Sequence, residues 1–204
     1  MGYNHFLITG FLTLVLSLIF LKNKEPQKLY KLLTALIILN LLTFNIYLLV
    51  GDMYNYKIHL PFHLCYLTQL GILISIIFRT QEWYPWLLLN SVGGGLAGFL
   101  NSNLDDNSLL IEHWYLYLSH FNLLLFSIFL YKTKFIITKS AFLKSVLFNS
   151  LIFMFVILFN INFDSNYWFT SNPPPGINLS IVLPEWPYGL FIIILLGLVS
   201  YYFT

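Results

Sequence analysis

The chain is a succession of long apolar runs separated by short polar connectors. A helix needs about 20 apolar residues to cross the hydrocarbon core of a bilayer. Seven runs approach that template, over residues 6–21, 30–50, 61–78, 84–104, 113–131, 142–163 and 188–203. They are continuously apolar rather than alternating, which points to helices and against a membrane barrel. Composition agrees: 58% of residues are hydrophobic and only 9% charged, where a soluble domain carries about 25% charged residues. The expected fold class is an all-α membrane protein. It is one bundle of about seven transmembrane helices, a single domain over 1–204.

Several classes are excluded or disfavoured. The net charge is only +2 and no basic run interleaves with aromatics, so no nucleic-acid partner is expected. A single cysteine precludes an intrachain disulfide. The first run has no basic residue before it and no small-x-small site after it, so it reads as a retained span. No internal repeat marks an inverted-repeat transporter.

The basic residues set an orientation. With seven spans, one set of connectors holds Lys22, Lys24, Lys28, Lys31, Arg79, Lys132, Lys134, Lys139 and Lys144, and the other holds only Lys57. The positive-inside rule then places the N-terminus outside and the C-terminus in the cytoplasm. On this reading His5, His59, His63, His113, His120 and Cys65 all fall toward the outer end. That asymmetry is the main functional signal.

Within "HLPFHLCYLTQL", His59 to Leu70, Pro61 suits a first helical position, so the third span is expected to start near Leu60 or Pro61. His63 and Cys65 then lie in its first two turns, about 200° apart around the axis. The helix N-terminus favours a thiolate at Cys65, and burial opposes it. The fifth span, "EHWYLYLSHFNLLLF", carries His113, Tyr117 and His120 on one stripe. Cys65 and His120 fall at similar depth and meet if the third and fifth spans pack together. The plainer readings are that Cys65 is a small hydrophobe, that His120 is a core histidine bonded to a backbone carbonyl or serine, and that His63 is an interfacial histidine in contact with water.

In the fourth span Gly94 and Gly98 form G-x-x-x-G, a close-packing signal. A broken helix baring backbone N–H groups near Asn101 and Asn103 is the alternative. Asp105 and Asp106 read as a solvated loop. The outer connector 164–187 begins with Asn166 and Tyr167 and contains Pro173–Pro175, which impose polyproline geometry. It reads as an interfacial loop or as a lid over the outer site.

"LPFHLC" at Leu60–Cys65, the glycine-rich fourth span, "SH" at Ser119–His120 and "NYWF…P…LPEWPY" before the last span resemble the bacterial YwaF-type integral membrane proteins. Their animal relative is a membrane acyltransferase that builds polyunsaturated ether phospholipids. The resemblance implies a seven-helix bundle with a nucleophilic cysteine at Cys65 and a histidine base at His120. It implies acyl transfer between lipids through a cysteine thioester, with a phospholipid or lysolipid as substrate and no cofactor or metal. Residues expected to contact substrate are His63, His113, Tyr117, Asn101, Asn166 and Tyr167. The loop "SNPPPGINL" departs from the pattern in its prolines, so a head-group contact there is the weakest part of the carry-over.

Two other readings remain. His59, His63, His113 and His120 with Glu112 or Asp52 have the donor types for a zinc-dependent lipid hydrolase. A non-enzymatic lipid or small-molecule binding protein is the third. The abundance of Lys, Asn, Ile and Phe suggests an AT-rich genome and hence a bacterial plasma membrane.

Overall fold

The computed structural model describes residues 2–23, 25–104, 107–176 and 178–204, with side chains from Asn4 onward. Asp105 and Asp106, read above as a solvated loop, lie outside the described residues. There are seven α-helices and, among the described residues, no strand. They are α1 (Gly2–Lys22), α2 (Pro26–Val50), α3 (Leu64–Ile77), α4 (Tyr84–Leu100), α5 (Leu110–Lys132), α6 (Lys139–Phe163) and α7 (Tyr188–Tyr202). The connector between α6 and α7 adds two 3-10 turns, Tyr167–Phe169 and Leu179–Val182.

Local chemistry explains the helix starts. Pro26 stands in the first turn of α2, where its missing N–H is no loss. Thr138 caps α6 by accepting from the Ala141 N–H at 3.2 Å. Glu112 in the first turn of α5 accepts the Leu109 N–H at 2.6 Å, placing its negative charge at the positive helix end.

Four helices, α1, α2, α5 and α6, are long and apolar enough to cross a membrane, while α3 and α7 are shorter apolar helices of 14 and 15 residues. The sequence reading placed the short spans first and last. The structure lengthens the first to 21 residues and shortens the third. It also ends α4 at Leu100 as an unbroken helix, so the broken-helix alternative near Asn101 does not hold.

The third span is short because its first residues are pulled off the helical path. The Leu60 N–H donates to the Tyr167 hydroxyl at 2.9 Å, and the Trp168 indole donates to the Phe62 carbonyl. The groups that would extend the helix toward Pro61 are thus engaged elsewhere. His63 becomes the residue before the helix, and Cys65 alone of the two lies in its first turn.

Helix α5 is the axis of the bundle and packs against α1, α2, α3 and α4. Most of its apolar stretch is buried, 61%, against 11% for α6. Helix α6 is apolar all round, as suits a lipid-facing helix. The closest seam is α4 against α5. A Cβ on Gly98 would collide with the His120 ring, and one on Gly95 would come within 2.7 Å of Leu124. A Cβ on Gly94 would meet Leu123 at an ordinary 3.7 Å. The tight glycines are therefore Gly95 and Gly98, spaced three apart, rather than the Gly94–Gly98 pair read from the sequence.

Candidate functional site

Helix α3 presents Cys65 in its first turn, where backbone N–H groups have no partner within the helix. The N–H groups of Cys65 and Tyr66 face the half-buried sulphur. Across from it on α5, Tyr115 lies close enough to Cys65 to feel its charge. The Tyr115 ring stacks on Phe44 at 4.1 Å and leans on Tyr66 at 5.2 Å. Its hydroxyl is buried and lies beside Ser119 of the next turn.

Three of the five histidines, His5, His59 and His120, have ring nitrogens held by hydrogen bonds. His5 Nε2 donates to the Phe99 carbonyl at 3.2 Å, which leaves Nδ1 to accept from the Tyr117 hydroxyl at 3.2 Å. His59 Nδ1 accepts from the Asn55 N–H at 2.9 Å, so Nε2 carries the proton toward Glu112 Oε1 at 3.4 Å. Both nitrogens of each ring are engaged. His120 Nδ1 donates to the Leu116 carbonyl at 2.7 Å, which leaves Nε2 as a lone pair. A histidine fixed in this tautomer is set up as a base. The open side of Gly98 gives its ring room.

The structure does not bring every expected residue to one point. Among the described residues, no hydrogen bond joins the Cys65 thiol to a histidine. His120 lies against α4 and within electrostatic reach of His5 on α1, whereas the neighbour of Cys65 is Tyr115. Tyr117 is tied to His5, and His113 lies near both His5 and Glu112. His63 packs edge-on to Tyr167 at 5.0 Å and beside Phe169 at 5.5 Å. Asn101 accepts the Leu179 N–H at 3.1 Å, which ties the end of α4 to the outer connector. Asn166 accepts from Ser171 and Asn172 N–H groups and donates back to the Asn172 carbonyl, so its amide is spent on folding its own loop.

The connector does cover this end of the bundle. Tyr167 is fully buried, donates to the Tyr56 carbonyl at 2.6 Å and accepts from Leu60. Burial pushes its phenol up to about 12. Trp168 and Phe169 both adopt left-handed backbone, at φ 57° and 55°, a conformation of about 1–3 kcal/mol for bulky residues. Asn160 holds them there. Its amide accepts from Tyr167 N–H and the Ser165 hydroxyl, and donates to the Tyr167 carbonyl and the Thr170 hydroxyl. At the surface Lys57 and Asp164 pair at 2.8 Å, which holds the Asp164 carboxyl below the usual range and the Lys57 ammonium above its own.

A further cluster went unread in the sequence. Asn40 of α2, Gln69 of α3 and Ser119 and Asn122 of α5 meet in the middle of the bundle, all at 0% exposure. Asn40 Nδ2 donates to Gln69 Oε1 at 3.3 Å and to Ser119 Oγ at 3.0 Å, and Asn122 Nδ2 donates to Gln69 Oε1 at 3.1 Å. The signal was available: three amides sit inside apolar runs, where a polar group is expensive without a partner. Among the described residues no three of His, Cys, Asp and Glu converge as metal ligands, so the donor set of the zinc hydrolase reading does not assemble.

No curated protein and no solved structure matches the chain. The sequence model of the TMEM164 family matches residues 1–204. This agrees with the animal side of the resemblance drawn from Leu60–Cys65 and Ser119–His120, and lends nothing to the YwaF-type side. The chain, a bundle of seven helices with four fit to cross a membrane, belongs to the TMEM164 family.

Proposed function

We propose that this protein is a membrane-embedded acyltransferase that carries a fatty acyl chain between lipids as a thioester on Cys65. One observation carries the reading: the only cysteine stands in the first turn of α3 with the Cys65 and Tyr66 N–H groups toward its sulphur and the buried Tyr115 hydroxyl close by. Such donors stabilise the oxyanion of a tetrahedral intermediate. His120 is the general base. Its Nε2 lone pair takes the thiol proton, directly or through one intervening hydroxyl; catalytic contacts are often long before substrate binds.

The thiolate attacks an ester carbonyl carbon of the donor lipid. A C–S bond forms, the ester C–O bond breaks, and the departing alcohol takes the proton from His120. An acceptor hydroxyl then attacks the thioester carbonyl. A C–O bond forms, the C–S bond breaks, and the acceptor's proton returns to sulphur by way of His120. This is covalent ping-pong catalysis. The basic connectors support a cytoplasmic C-terminus, so the Cys65 end faces the outer leaflet, where phospholipid ester carbonyls lie. The Asn-, Ile- and Phe-rich composition favours a bacterial plasma membrane. The segment Tyr167–Phe169 is the lid.

The test is intact and peptide mass spectrometry of the purified protein after incubation in phosphatidylethanolamine and phosphatidylcholine vesicles. A hydroxylamine-labile acyl adduct on Cys65, absent from Cys65→Ala, is expected. A His120→Ala variant is expected to lose turnover at least about a hundredfold. Lipid turnover undiminished in Cys65→Ala ends the reading.

A further inference from the structure

The amide cluster is incomplete. Asn40 Oδ1, Gln69 Nε2 and Asn122 Oδ1 are all buried with no partner, and the buried Tyr115 hydroxyl reaches Ser119 at their edge. Turning the amides does not repair this. Gln69 offers one half of its amide to both asparagines, so the other half is left over, as is one half of each asparagine. With the amides as placed, the leftovers are two acceptors and a donor; with all three turned, two donors and an acceptor. The unpartnered serines, Ser75 and Ser91, differ, since a helical serine hydroxyl can turn onto a carbonyl of its own helix. An amide cannot satisfy both ends that way.

The leftover set selects a ligand chemistry. A phosphate or carboxylate only accepts, and leaves the carbonyl oxygens facing a like charge. An ammonium only donates, and leaves the Gln69 amide unmet. A neutral hydroxyl donates one hydrogen bond and accepts others, and so answers both kinds of group in either amide orientation.

The position is also specific. Gln69 follows Cys65 by four residues on α3, one turn deeper on the same face and about 6 Å along the axis. On α5, Tyr115, Ser119 and Asn122 form the facing stripe. Tyr115 links the two ends, with Cys65 on one side and Ser119 on the other.

We infer that Asn40, Gln69, Asn122 and Tyr115 form a subsite for the neutral hydroxyl group, of water or of a lipid alcohol, that releases the acyl chain from Cys65. This rests on the thioester reading above. The hydroxyl oxygen attacks the thioester carbon, the C–S bond breaks, and the hydroxyl proton ends on sulphur. The product is a fatty acid if the hydroxyl is water and a new ester if it is an alcohol.

The experiment follows formation and decay of the Cys65 adduct in phosphatidylcholine vesicles, with and without lysophosphatidylcholine, in water enriched in oxygen-18. It compares the wild type with Gln69→Met and Asn122→Leu. Asn122→Leu removes an unpartnered oxygen and leaves Gln69 Oε1 its bond from Asn40, so its melting temperature is expected to hold, whereas Gln69→Met takes the acceptor from the Asn40 and Asn122 amides and is expected to melt lower while still folding. Decay of the adduct is expected to slow about tenfold more than its formation. Heavy oxygen in released fatty acid identifies water as the occupant, and deuterated diacyl lipid without heavy oxygen, formed when the lysophosphatidylcholine supplied carries a deuterated head group, identifies the alcohol. Either supports the subsite. An adduct that decays at the wild-type rate in both variants overturns it and leaves the thioester reading intact. Loss of folding in both variants shows the cluster to be structural glue and overturns it as well. No adduct on wild-type Cys65 removes the thioester reading, and this one with it.

Discussion

Two of the polar clusters buried in this bundle are finished differently. Toward the end away from Cys65, Asn149 of α6 accepts from the Trp86 indole at 3.0 Å and from Asn90 at 3.4 Å. Asn90 also donates to the Trp86 carbonyl, and its oxygen accepts from the Tyr201 hydroxyl of α7. Every polar group named there has a partner, and three helices are tied together. In the middle of the bundle, the cluster of Asn40, Gln69, Ser119 and Asn122 also ties three helices, yet leaves three amide groups bare. The residue types are nearly the same. The closed cluster has the character of glue between helices in a membrane. The open one keeps desolvated polar groups unanswered, which stability alone does not favour.

The largest effect is expected where the seam between α4, which carries the closed cluster, and α5, which carries the open one, is forced apart. Gly98→Ala sets a methyl group against the His120 ring. Overpacking of about 1–3 kcal/mol is expected in chemical denaturation, together with loss of acyl transfer as His120 moves. A variant as stable and active as the wild type would show that the seam yields freely.

The two clusters can then be set against each other directly. Asn149→Leu strips the Trp86 indole and Asn90 of their acceptor, and a loss of about 1–3 kcal/mol is expected. Asn122→Leu in the open cluster is expected to be close to neutral. Equal losses in the same denaturation assay would erase the contrast.

A smaller effect is expected at the rim. Tyr167→Phe frees the Leu60 N–H and the Tyr56 carbonyl, at about 1–2 kcal/mol. Limited proteolysis of the 164–187 connector is expected to speed up, while both buried clusters keep their protection in hydrogen exchange.

The smallest effect belongs to the exposed Lys57–Asp164 pair. Asp164 has a lowered carboxyl pKa, so its contribution is present above the ordinary carboxylate range and is lost as pH falls through the lowered value. Lys57 has a raised pKa, so its share is present below the ordinary lysine range and is lost above the raised value. The melting-temperature difference between wild type and Asp164→Asn is expected to be slight near neutrality. It should shrink in acid and in salt.

Much of the fold was legible because it follows from composition along the chain. A run such as 142–163 with hardly a charge has no soluble alternative, and its helix appears almost where the run lies. The start of α3 was misread for a physical reason. Pro61 permits a helix start, but Tyr167 and Trp168, more than a hundred residues away, take the Leu60 N–H and the Phe62 carbonyl. His63 and Cys65 lie at the start of α3, and their neighbours depend on helix rotation, which a periodic pattern alone does not give when every face is apolar.

The sequence by itself determined that this chain is a helical membrane bundle with its histidines and its cysteine drawn to one end, because charge scarcity and run length leave the backbone no other way to satisfy its hydrogen bonds. Only the tertiary structure decided which tautomer His120 adopts, which amides meet, and which of their groups go unanswered. Those outcomes depend on distances of a few ångströms between helices far apart in the chain, where one backbone carbonyl, such as that of Leu116, fixes a tautomer.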